Sequence, residues 1–224
     1  MLSKNINFLK EDIKQACLTS SRDPKEIVLM GASKSQSVES IEKAYEIGIS
    51  HFGENYLQEA ETKINKLDKN IVWHFIGTIQ TRKAKKIACL FDWVHTVDSL
   101  KIAEKLNGAR ALSQKKLNIC LQVNIDNEET KSGILLEEVE GLLMGLIKMK
   151  NIKARGLMII PKPKDSVEEL RVVFSNLKSK MESLKSQFPE LDTLSMGMSA
   201  DYLVAVEEGA TILRIGTGIF GERE

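Results

Sequence analysis

The feature that most limits the fold is a repeat: a short apolar run, then a helical pattern, over and over along the chain. Runs at 27–32 (IVLMGA), 71–75 (IVWHF), 93–97 (WVHTV), 117–125 (LNICLQVNI), 152–160 (IKARGLMII), 191–196 (LDTLSM) and 211–215 (TILRI) read as buried strands. The short piece from His51 to Gly53 makes an eighth. Between them the apolar residues recur at helical spacing. Residues 37–48 carry Val38, Ile41 and Tyr45 behind Ser37 as N-cap. Residues 55–67, 81–90, 135–149 and 200–207 follow the same plan, as does a helix capped by Asp98 or Ser99 with Leu100, Ala103 and Leu106 on one face. The clearest helix is 167–187. Ser166 and Glu169 have capping-box spacing, ahead of a stripe of Leu170, Val173, Phe174, Leu177, Met181 and Leu184.

Strand-then-helix alternation implies parallel pairing with right-handed crossovers. An open doubly wound sheet and a closed (β/α)8 TIM barrel both satisfy it, and eight units favour the barrel. The last strand has almost no chain after it. An N-terminal helix, with Ile6, Leu9, Ile13 and Cys17 on one face, is expected to supply the eighth outer helix. A barrel uses nearly the whole chain, so residues 1–224 are expected to form a single domain.

Composition removes several function classes. Formal net charge is +1, so no global field recruits nucleic acid or acidic lipid. The N-terminal stretch MLSKNINFLKEDIKQACL has acids and no continuous apolar core, unlike a signal or transit peptide. No run approaches the roughly 18 apolar residues of a membrane span. Cys17, Cys89 and Cys120 are far apart and odd in number, which fits a reducing compartment. The expectation is a cytoplasmic monomer with no nucleic-acid or membrane partner.

In a barrel, sites form at the carboxyl ends of the strands, and the loops after strands seven and eight often bind phosphate. Lys34 sits just past the first strand. A lysine there is ordinarily a solvated surface group, but its company is unusual. SMGMSAD (195–201) follows strand seven, and RIGTGIFG (214–221) follows strand eight. Ser199 is expected to begin a helix, so its hydroxyl and the adjacent N–H groups can face an anion. Gly216 and Gly218 let backbone N–H groups approach closely, and Thr217 adds a hydroxyl. Asp201 stands against a phosphate unless it turns away or pairs with a cation. A lysine beside a phosphate site points to a Schiff base with a phosphorylated carbonyl compound. Pyridoxal phosphate and an aldolase substrate both meet that description. His51, His74 and His95 read as satisfied buried histidines, not spaced as metal ligands. The basic cluster Arg82, Lys83, Lys85 and Lys86 reads as a solvated helix face.

These motifs, with HFGENYLQE (51–59), WHFIGTIQ (73–80), QVNID (122–126), KSG (131–133) and GLM (156–158), resemble the pyridoxal-phosphate homeostasis protein family from about Ile27 to Gly221. The resemblance implies the barrel of alanine racemase without that enzyme's second domain. It implies pyridoxal 5'-phosphate as cofactor, with Lys34 as the residue that forms the internal aldimine. Ser199, Gly216 and Thr217 match the phosphate cradle, Arg214 the arginine facing the pyridine nitrogen, and Asn55 and His74 polar residues near the ring. Arg82 stands where the family usually carries asparagine. The implied role is buffering or delivery of the cofactor, with cofactor-dependent apo-enzymes as recipients and without efficient amino-acid turnover. The alternative is a true enzyme on the same barrel, a racemase or decarboxylase.

Overall fold

Eight parallel strands close on themselves in chain order, each paired with the next and the last paired with the first. They are β1 (Val28–Ala32), β2 (His51–Glu54), β3 (Val72–Phe75), β4 (Trp93–Val97), β5 (Leu117–Gln122), β6 (Ile152–Met158), β7 (Thr193–Ser195) and β8 (Ile212–Ile215). The helices are α1 (Leu2–Thr19), α2 (Val38–Glu46), α3 (Leu57–Lys66), α4 (Ala84–Leu90), α5 (Leu100–Ala109), α6 (Val139–Leu146), α7 (Val167–Leu184), α8 (Tyr202–Glu207) and α9 (Thr217–Phe220). This computed structural model describes residues 1–67, 69–128 and 130–222. None of the described helices is long and apolar enough to cross a membrane.

Strand alternation sorts side chains into two cores. On β3, Trp73 and Phe75 join a large outer shell between strands and helices, while His74 faces the barrel axis. The interior holds a smaller apolar cluster of Met30, Trp93, Cys120, Met158 and Ile212. Side chains fill it, so it is a core and not a pore. The expected caps form: the hydroxyls of Ser37, Ser99 and Ser166 accept from the N–H groups of Ser40, Ile102 and Glu169.

Helix α1 buries Ile6, Leu9, Ile13 and Cys17 and lies between α2 on one side and α8 and α9 on the other. It covers the side of the barrel where β8 is followed only by the four-residue α9 among the described residues. Tyr202 Oη donates to Asp12 Oδ2 at 2.7 Å, and Arg22 Nη1 donates to the Val206 carbonyl at 2.6 Å. These bonds fasten α1 to α8.

Several boundaries differ from expectation. β5 stops at Gln122, because Asn124 turns the chain by bonding both the N–H and the carbonyl of Glu128. The helices expected at 81–90 and 135–149 each open as a 3-10 turn, at Thr81–Lys83 and Leu136–Glu138. Helix α8 starts at Tyr202 with Asp201 as its N-cap, so Ser199 belongs to the turn before it. RIGTGIFG contains the short helix α9, which its glycines concealed.

β6 and β7 touch so closely at Gly156 that a Cβ there would lie 1.7 Å from the Thr193 carbonyl oxygen. Strand backbones cannot yield, so Gly156→Ala is expected to destabilise the barrel by about 3 kcal/mol. Gly141, exposed in α6 with no heavy atom within 4 Å of a Cβ, is the control. Gly141→Ala should stabilise by about 0.5–1 kcal/mol. Urea midpoints of the two variants should move in opposite directions.

Candidate functional site

The residues singled out in the sequence converge on the carboxyl-terminal side of the barrel, with His74 deeper inside. Ala32 pairs with Gly53, so Lys34 and Asn55, each two residues further on, are neighbours. A Cβ at Gly216 would lie 3.6 Å from the Ala32 carbonyl oxygen, which puts the β8 loop against the strand that carries Lys34.

Lys34 sits in a loop held from both sides. Ser33 and Glu54 are fully buried, and Lys63 is 4% exposed. Lys63 Nζ donates to the Ser33 carbonyl (2.6 Å), Glu54 Oε1 (2.8 Å) and Glu59 Oε1 (2.6 Å), which uses all three of its N–H bonds. Ser33 Oγ donates to Glu54 Oε1 at 2.5 Å, and the Ser35 N–H donates to Glu59 Oε1 at 2.6 Å. Ser35 has φ +64, a left-handed turn held by that last bond. Burial pushes the Glu54 carboxyl up, and the bonds from Lys63 and Ser33 pull it back down. The network grips the residues before and after Lys34 and leaves its amine without a hydrogen bond or ion pair among the described residues.

Arg214 projects into the interior from β8 and is 5% exposed. Its Nη1 donates to Ser195 Oγ at 2.8 Å and its Nη2 to the Ile159 carbonyl at 2.7 Å. Burial lowers its pKa to about 10, opposed by the nearby Asp201 and Cys120, so the guanidinium is charged at neutral pH. It is a buried cation held by neutral acceptors, with further N–H groups for a ligand.

The two loops that flank Arg214 are bonded to each other. The Gly218 N–H donates to Ser199 Oγ at 3.1 Å, which leaves the serine proton to donate. The N–H groups of Ser199, Ala200 and Thr217 have no partner among the described residues. The tension over Asp201 is relieved by its orientation. Its Oδ1 accepts the Met198 N–H at 2.5 Å, so the carboxylate is engaged with its own turn. Burial raises its pKa, while the Met198 bond and Arg214 oppose that rise. Asn55 Oδ1 is buried and without a partner. Gly77 makes room there, since a Cβ on it would lie 2.1 Å from the Asn55 carbonyl oxygen. Arg82 is exposed and reaches only Gln80 Oε1, at 3.3 Å.

His74 is fully buried, and both its ring nitrogens are engaged: Nε2 with His51 Nδ1 at 2.9 Å and Nδ1 with His95 Nε2 at 2.8 Å. It has no polar atom left for a ligand. His95 Nδ1 continues to Ser195 Oγ at 2.8 Å. Burial holds His74 well below the usual histidine range, helped by the two neighbouring histidines. Burial likewise lowers His95 to about 3, with Arg214 adding to the effect.

Sequence reasoning did not reach the Glu54–Lys63 network or Ser195. One signal was available. Leu57, Ala60 and Lys63 share the buried face of α3, and a lysine on an apolar face needs an anion.

The closed eight-stranded barrel with its N-terminal helix is the fold of the alanine racemase N-terminal domain. The model of the family "Alanine racemase, N-terminal domain" matches residues 24–224. An alanine racemase of Clostridium difficile has the same fold, with a TM-score of 0.79 at 16% identity over 98% of this chain and 60% of its own. The "Pyridoxal phosphate homeostasis protein" of Vibrio alginolyticus is 41% identical over 100% of this chain and 98% of its own length. That of Escherichia coli K12 is 37% identical over 100% and 97%. PipY of Synechococcus elongatus, solved with pyridoxal phosphate bound, superposes with a TM-score of 0.85 at 32% identity over 99% of this chain and all of its own. The chain belongs to the pyridoxal phosphate homeostasis protein family.

The neutral histidines make stability acid-sensitive. Their folded pKa lies below the unfolded value of about 6.5, so their contribution is complete above pH 6.5 and declines as pH falls toward 3. Each costs at most about 1.4 kcal/mol per pH unit in that window. Urea midpoints should therefore fall between pH 7 and pH 5. An unchanged midpoint would mean that His74 and His95 charge freely in the native state.

Proposed function

We propose that this protein binds pyridoxal 5'-phosphate at the barrel mouth and acts in intracellular supply of the cofactor, holding or delivering it without efficient amino-acid turnover. The observation that carries the reading is the convergence of a free amine, a buried arginine and unpartnered N–H groups at one end of the barrel. The residues fit the group. Ser199 and Thr217 offer hydroxyls, and the N–H groups of Ser199, Ala200 and Thr217 offer donors, to a phosphate. Arg214 would face the ring nitrogen, and Asn55, whose Oδ1 is buried and unpartnered, would offer an acceptor beside the ring. His74 acts through its neighbours rather than by direct contact.

When bound, pyridoxal phosphate supplies an aldehyde and an electron-accepting pyridine ring. Lys34 would supply the amine for that aldehyde, from a loop whose backbone is held on both sides by the Glu54–Lys63–Glu59 network. Arg214 is donor-only and charged, so beside the ring nitrogen it would disfavour protonation there and leave the ring a weaker electron sink. Racemisation also needs an acid/base group on each face of the substrate carbon. Lys34 serves one face. Tyr45 lies in α2, and Tyr202 in α8 is bonded to Asp12, both outside the barrel. Tyr56, at the start of α3 beside Asn55, is 63% exposed. These features favour holding over turnover. The free cysteines Cys17, Cys89 and Cys120 suit a cytoplasmic setting. Apo-enzymes that require the cofactor are the recipients this role calls for.

Purified protein should be yellow, and borohydride reduction followed by peptide mapping should place the label on Lys34. Lys34→Ala should lose the covalent link and keep weaker binding, because the phosphate loops are separate from it. A label on another lysine removes Lys34 from the role. Ser199→Ala should weaken pyridoxal phosphate binding by about tenfold, the loss of a hydrogen bond to a charged group. Pyridoxal without its phosphate should bind almost as before.

Incubation of the yellow protein with L-alanine in heavy water should give slow deuterium entry at the α-carbon and little D-alanine. Rapid exchange that disappears in Lys34→Ala would replace the carrier reading with a racemase.

A further inference from the structure

The chain has three histidines, and all three stand in one line through the barrel. The line runs His51, His74, His95, Ser195, Arg214, with successive polar atoms 2.8–2.9 Å apart. His74, His95 and Ser195 have no exposed surface. At the far end, half-buried His51 lines a cleft of about 490 Å³ on the amino-terminal side of the barrel, with Lys10, Lys14, Pro24 and Val28 among its walls. The line thus joins the base of the barrel to the arginine at its mouth.

Donor counting gives it one direction. Arg214 can only donate, so Ser195 Oγ accepts from it. The single serine proton is then directed at its other partner, His95 Nδ1. A neutral ring that accepts at Nδ1 carries its proton on Nε2, and His95 Nε2 faces His74 Nδ1. The same step repeats from His74 Nε2 to His51 Nδ1. His51 therefore carries its own proton on Nε2, the nitrogen away from the relay. In the opposite direction Ser195 would accept twice, and its buried proton would have no acceptor among the described residues.

The charged and titratable surroundings agree with neutral rings. Arg214 faces His95 and disfavours charge there. His51 is lowered by burial, with Asp92 working the other way, and Lys10 and Lys14 stand across the cleft. Asp201 and Cys120 face Arg214, the latter a thiol that burial pushes up to about 12.

We infer that Ser195, His95, His74 and His51 are positioning residues for Arg214, forming a relay of single polarity that presents a neutral acceptor to the guanidinium and thereby fixes its aim at the cofactor's ring nitrogen. This rests on the reading of Arg214 given above. Because the outer nitrogen of His51 already holds its proton, solvent cannot easily charge the relay from the cleft. If His51 is replaced by a residue that cannot accept, His74 Nε2–H loses its partner. The rings are then free to reverse, and Ser195 no longer has to accept from Arg214 alone.

The test uses the full chain labelled with ¹⁵N-histidine, so that every histidine signal belongs to the relay. Without cofactor, the nitrogen shifts should show three Nε2–H tautomers, with His74 and His95 not titrating between pH 5 and 8. A single Nδ1–H tautomer at any of the three, or ordinary titration of His74 or His95, overturns the inference. In the protein loaded with pyridoxal phosphate, His51→Leu should mix the tautomers of His74 and His95 and shift the absorption band of the bound cofactor, although His51 touches no part of the mouth. His51→Gln, whose amide oxygen can accept from His74, should restore both signals. A His51→Leu spectrum identical to wild type sinks the positioning role. Failure of the wild-type protein to take up pyridoxal phosphate at all would instead sink the cofactor reading, and the tautomer measurement would still decide the relay.

Discussion

The pairing of β1 with β8 is the constraint on which the rest depends. Val28 to Gly31 run beside Ile212 to Ile215, and that contact turns an eight-stranded sheet into a closed barrel. Closure removes both sheet edges. It also brings Lys34, near one end of the chain, against the loop of Gly216 and Thr217 near the other. Helix α1 supports the seam from outside, because it packs against α8 and α9, the helices that precede and follow β8.

Closure also creates an enclosed interior, and here that interior is unusually polar. Three histidines, a serine and an arginine occupy positions that a purely structural barrel would fill with branched aliphatic side chains. Both ring nitrogens of His74 and of His95, and the Ser195 hydroxyl, have partners at hydrogen-bond distance, so the cost of burying them is offset by bonds. The large apolar shell between strands and helices carries the stability that permits this. A second buried network, Glu54 with Lys63 and Ser33, lies outside the barrel wall and braces the lysine loop. The first network holds Arg214 and the second braces the loop of Lys34.

The sequence by itself determined the architecture. Apolar runs of strand length, separated by helical stripes with serine caps at Ser37, Ser99 and Ser166, are local patterns, and local chemistry suffices to read them. It also marked Lys34, Ser199, Gly216 and Thr217, because residue type and place after a strand are written in the chain, while Arg214, inside β8, was marked by the family resemblance. Boundaries were less legible where a side chain diverts the backbone, as Asn124 does after β5 and Asp201 does before α8. Only the tertiary structure decided which buried polar groups meet. His51, His74 and His95 each look like an isolated core histidine, and Ser195 like a strand residue. Their alignment follows from the stagger of strands around a closed barrel, a property of several strands at once. Lys63 meets Glu54 for the same kind of reason: a helix face and a strand face are brought together by packing, and no spacing along the chain records that contact.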